Sequence, residues 1–325
     1  MRILACLLLF WACLPVSASK LMFIHSYHEG YPWVQDYRRA IIENLSEPSE
    51  LTEIYLDSKR LPRDTYVKRA EEAWDAVKRH KPDIIILADD NAISLLSERI
   101  ADTKIPVVFL GLNTNPRDHG LQAYQQFTGI LERPLFKRSL LLVDCLLPGN
   151  EDTKLLILSD NSATARAAFG PISPDFKPIK IGKLTIAFTL TNSAKEWKQA
   201  VRDAKKTGYH GIFTGLYHTL ITASGEYMDS EEIIAWTADH APVPHFGFWD
   251  FTVGKRANLG GYVLNGYEHG LLAGKLINRL VAGEQASQLG YVSDSKGTFR
   301  FSLSGVARWH LSIPKEIAKK ADWVE

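Results

Sequence analysis

Asp89-Asp90-Asn91 is the sharpest chemical feature of this 325-residue chain. The three follow a wholly apolar run, Ile84-Ile85-Ile86-Leu87-Ala88, and open a stretch of helical character. A carboxylate placed there can grip a ligand's ammonium or hydroxyls, or it can cap the helix by accepting from its first N–H groups. One of the pair is expected to cap and the other to face a cleft. His25 and His28 could ligate a metal. A spaced His pair without a third ligand, a His-Glu-x-x-His or a Cys-x-x-Cys points instead to hydrogen bonding, so no metal is expected. Trp33, Tyr217 and Trp249 could stack on a planar ligand or belong to ordinary core. Trp74, Trp197 and Trp236 sit at helical spacing among apolar residues and read as core. There is no Gly-x-Ser-x-Gly elbow, no Gly-x-Gly-x-x-Gly and no phosphate loop. Nothing calls for an enzyme or a cofactor.

The elements that must position these residues alternate from the start. Leu21-Met22-Phe23-Ile24 predicts a strand, Trp33 to Leu45 a helix and Leu51 to Leu56 a strand. Asp64 is expected to cap a helix whose Val67, Ala70, Trp74 and Val77 share a face. Asp83 to Ala88 is too apolar to have a solvent face, as central parallel strands are. Asn91 to Ile100 reads as a helix and Ile105 to Phe109 as a strand. The same grammar restarts with a helix from Leu135 to Leu147, stopped by Pro148-Gly149, and a strand from Lys154 to Leu158. Leu184 to Leu190 is a strand, and Ser193 to Glu196 a capping box before a helix carrying Trp197. His210 to Phe213, Glu231 to His240 and Pro244 to Gly247 continue as strand, helix, strand. Gly260 to Gly283 is a strand and a long helix. The fold class is α/β: two doubly wound parallel-sheet lobes joined by a multi-crossover hinge. The expected division is a leader over 1–18, lobe 1 over 19–131 plus 250–292, and lobe 2 over 132–249 plus 293–325.

In open α/β sheets, ligands sit beyond the C-terminal ends of the strands. Lobe 1 then offers His25, Ser26, Tyr27 and Trp33, followed by Asp89, Asp90, Asn91, Asn113 and Thr128. Lobe 2 offers Ser159, Asp160, Asn161 and Thr189, then Tyr217 with His218, then Trp249 and Asp250. Aromatic and neutral hydrogen-bonding groups dominate, which suits a closed cleft around a small polar or aromatic molecule. No Arg or Lys stands directly at these strand ends, where a dianion would want a clamp. A neutral, zwitterionic or cationic ligand is expected, amino-acid-like or amine-like first and a sugar or nucleoside next.

Ile105-Pro106-Val107-Val108-Phe109-Leu110-Gly111-Leu112-Asn113 resembles the strand and loop of type I periplasmic binding proteins, the substrate-binding proteins of ABC transporters. Phe127-Thr128-Gly129-Ile130, Leu146-Leu147-Pro148-Gly149 with Lys154 to Ser159, and Gly260-Gly261-Tyr262 through Gly270, Ala273-Gly274-Lys275 and Gly283-Glu284 extend the likeness over nearly all of the mature chain. The resemblance implies crossovers near Leu131, Phe248 and Ser293, and two lobes that bend shut on a ligand. His25 to Trp33 departs from the family's usual loop. It is similar to a branch associated with sensor kinases or cyclase-type receptors as well as importers. A permease or a membrane sensor receptor is therefore the implied partner of a monomeric receptor. An exported α/β enzyme is the remaining alternative.

Met1-Arg2, the apolar stretch Ile3 to Leu14 and the small residues Val16 and Ala18 read as a secretory signal peptide, too short for a membrane span. Cys13 could be acylated, but Trp11 stands where a small residue is wanted. Lys plus Arg number 38 and Asp plus Glu 37, so removal of Arg2 with the leader leaves 37 against 37. Such balance argues against nucleic acid or an anionic membrane as partner. Cys6 and Cys13 fall in the leader, and Cys145, expected on a buried helix face, is then the one mature thiol, leaving no internal disulfide. The expected outcome is a periplasmic protein whose N-terminus is Ser19, read by N-terminal sequencing. A chain still starting at Met1, or a lipid on Cys13, would contradict it.

Overall fold

The structure is a computed structural model, and it describes residues 18–147 and 152–325. The leader through Ser17, with Cys6 and Cys13, and the helix stop at Pro148-Gly149 lie outside the described residues.

Apolar alternation with helices gives a first sheet of six parallel strands. They are β1 (Ser19–His25), β2 (Ser49–Tyr55), β3 (Ile84–Ala88), β4 (Val107–Leu112), β5 (Phe127–Leu131) and β12 (Tyr291–Ser293), in the order β12-β5-β4-β3-β1-β2. All five residues of β3 are buried, the outcome its unbroken apolar run requires of a central strand. Helices α1 (Pro32–Glu43), α2 (Arg63–His80) and α3 (Asp89–Ala101) connect these strands. The order reverses between β3 and β1, and this switch point is where a cleft opens at the strands' C-terminal ends.

The second sheet runs β10-β9-β6-β8-β7. It contains β6 (Thr153–Ser159), β7 (Ile179–Ile181), β8 (Leu184–Leu190), β9 (Gly211–Thr214) and β10 (His245–Gly247), with only β7 antiparallel to its neighbour. Helices α4 (Phe136–Leu146), α5 (Ala163–Phe169), α6 (Ala194–Asp203) and α7 (Ser230–His240) cover it. Ser193 Oγ accepts from Glu196 N–H at 3.3 Å, one half of the expected capping box. The Glu196 carboxylate turns to Thr191 Oγ1 instead of reaching back.

Sequence reading did not find a third, small sheet, β11-β13-β14 (Gly260–Val263, Thr298–Ser302 and Asp322–Val324). Leu259 N–H donates to His245 O of lobe 2 at 3.0 Å, so this sheet extends lobe 2. The expected division therefore needs correction. Residues 250–263 stay with lobe 2, and the chain returns to lobe 1 at Leu264-Asn265, leading into α8 (Gly266–Val281). Phe248 to Asp250 runs beside that crossing, pairing with Leu264, but does not itself cross. The other two crossings follow Leu131 and Ser293.

Two further expectations fail for local reasons. Cys145 is exposed, because the buried stripe of α4 runs through Leu142, Val143 and Leu146. Asp64 does not cap α2, since the helix begins at Arg63 and places Asp64 in the first turn. There it still favours the helix dipole.

Helix α1 must be held tightly, because it carries Trp33 towards the cleft. It packs on α8, where a Cβ at Gly270 would meet the Tyr37 backbone and sit 2.8 Å from Ala40 Cβ. Only glycine allows that approach. Helix α3 is held from another strand. Ser26 Oγ, buried after β1, accepts from Ala92 N–H at 2.8 Å and donates to Ala88 O at 2.6 Å. A serine from β1 thus does the work of a helix cap for α3. Ser26→Ala removes the side-chain acceptor of Ala92 N–H, while Ala88 O keeps the bond from the backbone N–H of residue 26, and should cost about 1–2 kcal/mol of stability. Urea unfolding reads this, and an unchanged midpoint would contradict the tertiary cap.

Candidate functional site

Asp89 begins where β3 stops, and its backbone is held at φ +67°, a left-handed conformation that Asp tolerates better than most residues. That turn aims the carboxylate between the lobes rather than at its own helix. Oδ1 accepts from Trp33 Nε1 at 3.2 Å, and Oδ2 is buried without a hydrogen-bond partner. Room for it comes from Gly111, itself at φ +71°, where a Cβ would collide with Asp89 Oδ1. Burial lifts the Asp89 pKa well above the carboxylate range, and the nearby Glu132 and Asp90 add to that.

Asp90 points the other way. Its Oδ1 accepts from Asn113 N–H at 3.1 Å and from Thr114 N–H and Oγ1 at 2.9 Å each, and its Oδ2 from Asn113 Nδ2 at 3.3 Å. It therefore fastens the loop after β4. Burial raises its pKa, and the bonds from Thr114 oppose the rise. Neither carboxylate caps α3, whose N-cap residue Ala88 has no side-chain bond, because Ser26 already serves that end. The expected capping role is corrected, while one of the pair does line the cleft.

Glu132, the first residue after β5, joins the lobes. Its Oε1 accepts from Trp249 Nε1 at 2.6 Å and its Oε2 from Asn113 Nδ2 at 3.1 Å. Burial pushes its pKa to about 7, and the bonds from Trp249 and Asn113 oppose the rise. Facing these acids is Lys59. Beyond β2 a turn with Asp57 at φ +61° pairs Asp57 with Arg60 at 2.8 and 2.7 Å and sends Lys59 inward. Lys59 is 8% exposed, and its Nζ lies 4.3 Å from the Tyr27 ring centroid and 5.0 Å from that of Tyr31. Among the described residues no hydrogen bond or ion pair holds the ammonium. Burial lowers its pKa, and Asp160 and Asp89 pull the other way.

These groups wall one chamber between the lobes, with Trp33, Tyr27 and Tyr31 from lobe 1 and Thr164, Leu216, Trp249 and Phe251 from lobe 2. It encloses about 20 Å³, room for about one water molecule. Its aromatic gate is closed: Tyr31 meets His218 edge-on at 5.1 Å and Phe251 at 5.3 Å. Outside the gate lie two larger cavities of about 360 Å³ each, both touching His28, His218 and the start of α7. The inner chamber is the candidate site, because the buried ionisable groups converge there.

Of the residues expected from the sequence, Tyr27, Trp33, Asp89, Asn113 and Trp249 line this chamber, and Tyr217 lines one outer cavity. The others stand elsewhere. His25 is core, stacked 4.4 Å from Tyr55 and bonded through Nδ1 to Tyr37 OH at 3.0 Å. Asn91 donates to Ser58 Oγ at 2.8 Å, and Thr128 to Gly290 O at 2.6 Å. Ser159 Oγ accepts from Leu216 N–H at 3.0 Å. Asp160 accepts from the His218 and Thr219 amides at 3.0 and 3.2 Å, shaping the loop behind the gate. Asn161 receives no ligand-facing position, and its amide N–H donates to Asn192 Oδ1 at 2.7 Å. Thr189 stays in β8, away from the chamber. Asp250 accepts from Phe251 N–H at 2.8 Å, and burial lifts its pKa to about 6.

Sequence reasoning missed Lys59, Glu132, Tyr31 and Phe251. Glu132 was within reach of the strand-end rule, lying one residue past β5. Lys59 was not, because three residues separate it from the end of β2. It brings a basic group into the cleft from beyond the strand ends, where none was expected to stand directly.

No protein-family model matches the chain, and no curated protein matches it by sequence. Solved structures do. A Streptococcus protein described as an ABC domain in complex with L-Trp is similar at 15% identity and TM-score 0.72, over 95% of this chain and 100% of that one. A conserved domain protein from Vibrio cholerae shares 14% identity at TM-score 0.71, over 95% and 100%. A substrate-binding protein with adhesive properties from Clostridium difficile, in its ligand-free, open form, shares 13% at TM-score 0.67, over 95% and 99%. The fold is that of the type I periplasmic binding proteins.

Trp249→Phe keeps the ring and removes the donor to Glu132. Leaving that oxygen bare in the chamber should cost about 1–3 kcal/mol of stability at neutral pH. Equal urea midpoints for variant and wild type would contradict a structural Trp249–Glu132 bond.

Proposed function

We propose that the protein is an exported solute receptor that shuts its lobes on a small zwitterion of amino-acid type and presents it to an ABC permease in the membrane. Capture without turnover is part of the reading. The observation that carries it is the set of unmatched polar groups in one interlobe chamber. Lys59 Nζ has no acceptor among the described residues, while Asp89 Oδ2 and Asn113 Oδ1 are buried without donors. Each of the two buried oxygens costs about 1–3 kcal/mol when left unpaired, while the ammonium has only the Tyr27 and Tyr31 rings beside it. A molecule carrying an ammonium and a carboxylate close together would match all three, the ammonium on Asp89 and Asn113 and the carboxylate on Lys59.

The chamber's walls supply the rest of the recognition. Trp33, Trp249, Tyr27, Tyr31 and Phe251 form an apolar, mostly aromatic surface, suited to a flat side chain. A volume of about 20 Å³ admits no amino acid while Tyr31 and Phe251 stay in contact. Entry therefore requires the lobes to part at the three crossings and the gate to open. The L-Trp in the similar Streptococcus structure agrees with this choice of ligand class. A sugar would leave the Lys59 charge without a counter-ion.

A thermal-shift panel of L-amino acids, amines, sugars, nucleosides and dianions tests the class. Zwitterionic amino acids with flat side chains should stabilise most. Lys59→Met removes the buried charge at similar volume, so the fold should hold. Its affinity for the best amino acid should fall by about 2–5 kcal/mol in calorimetry. Stabilisation by phosphorylated or dicarboxylic compounds alone, or full affinity in Lys59→Met, would sink the reading.

A further inference from the structure

The chamber holds an unequal set of buried charges. Two carboxylates, Asp89 and Glu132, line it with one ammonium, Lys59, and a third, Asp90, is buried directly behind them. The neighbours do not close the difference. Arg133 gives its hydrogen bonds to the carbonyl oxygens of Leu112, Asn113, Glu132 and Thr114, and its charge offsets one of the acids, Asp90 or Glu132, leaving one negative charge in excess. His269, behind Glu132 on α8, accepts from Gly111 N–H through Nε2 at 2.9 Å. Its ring proton therefore sits on Nδ1, which faces Asp294 at 3.2 Å, and the ring adds no cation. Across the gate, burial keeps His218 neutral by driving its pKa well below the usual range. Tyr27 and Tyr31 hold their phenolic protons, since burial raises both pKa values. Asp160 is an additional negative group on the lobe 2 side, fastened by four donors from Ser162, His218 and Thr219.

Hydrogen bonding then sorts the three acids. Asp90 receives four donors and can remain ionised. Asp89 receives one and Glu132 two, and both line the same narrow chamber with a single ammonium opposite. Two like charges in a water-poor site resist simultaneous ionisation, and the cheapest remedy is to keep a proton on one of them.

We propose that Asp89 and Glu132 share one proton before capture and that a ligand ammonium takes its place, so that binding releases a proton and acid expels the ligand. The inference rests on the zwitterion reading only for the second half; the stored proton belongs to the protein alone. Linkage fixes the sign. Burial holds Glu132 at about 7 in the unliganded chamber, and an ammonium beside it lowers that value. Affinity is then level above neutrality and weakens as pH falls through the window below about 7, by at most about tenfold per pH unit. Stability runs the same proton in reverse. The native chamber holds more protons than the unfolded chain between the ordinary Glu range and about 7, so the unliganded fold weakens as pH rises through that window.

Infrared spectroscopy of the mature, unliganded protein tests the stored proton directly. A protonated-carboxyl C=O band should be present near neutral pH, and both Glu132→Gln and Asp89→Asn should abolish it, since Lys59 then faces a single acid. No band in the wild type, or one that survives in both variants, overturns the proposal. If one amide variant fails to fold, the other gives the same reading. Calorimetry with L-phenylalanine in two buffers of different ionisation enthalpy tests the exchange. Release approaching one proton just below neutrality supports it, and binding without release overturns it. Failure of L-phenylalanine and its aromatic relatives to bind would count against the zwitterion reading, with the infrared bands still deciding the stored proton.

Discussion

Everything in this structure that concerns function turns on burying an ammonium and several carboxylates where two lobes meet. Lone charges in a dry interior are expensive, and the cost falls only when partners are placed with good geometry. The fold provides most of that geometry before any ligand enters. Ser26 ties the start of α3 to the end of β1, and α8 fixes α1 through its glycine contact. Trp33 on α1 and Asp89 on α3 are thereby brought to a 3.2 Å hydrogen bond. The backbone strain at Asp89 belongs to the same arrangement, because a relaxed turn would aim its carboxylate elsewhere. Gly111 makes that orientation possible twice over, by lacking a Cβ and by donating its N–H to His269.

The hinge and the site are one structure. Glu132 follows the strand from which the chain first leaves lobe 1, Asp250 pairs with the segment through which it returns, and Asp294 follows its last exit. Of these, Glu132 also lines the chamber and holds Trp249 of lobe 2, so whatever enters is sensed at a crossing. Opening the lobes must break the Trp249–Glu132 bond and separate Tyr31 from His218 and Phe251. A ligand that supplies replacement hydrogen bonds biases that balance by its own differential affinity and by no more.

Much of the fold was legible because buried parallel strands cannot hide. Apolar runs such as Ile84 to Ala88 and Lys154 to Leu158 have no other use in a chain of this charge balance, and the helices between them follow from periodicity. The third sheet was not legible, because its strands are short and gain their pairing from distant residues; Gly260–Val263 was expected as a strand, but its partners Thr298–Ser302 and Asp322–Val324 were not. The site was legible only in part. Strand-end residues divide between those that point into the cleft and those that tie loops together, and sequence does not say which. Asp89 and Asp90 are adjacent, yet one faces the chamber and the other holds Asn113 and Thr114. Lys59 reached the chamber through a left-handed turn at Asp57 that no local pattern announced.

The central claim is that the chamber is built for a molecule bearing both an ammonium and a carboxylate. Native mass spectrometry of protein purified gently from its own compartment, followed by release and identification of the bound species, tests it most directly. The account predicts a stoichiometric small molecule with both groups on neighbouring carbons and a flat side chain. A phosphorylated compound, a dicarboxylate or an uncharged sugar released from the chamber would contradict it.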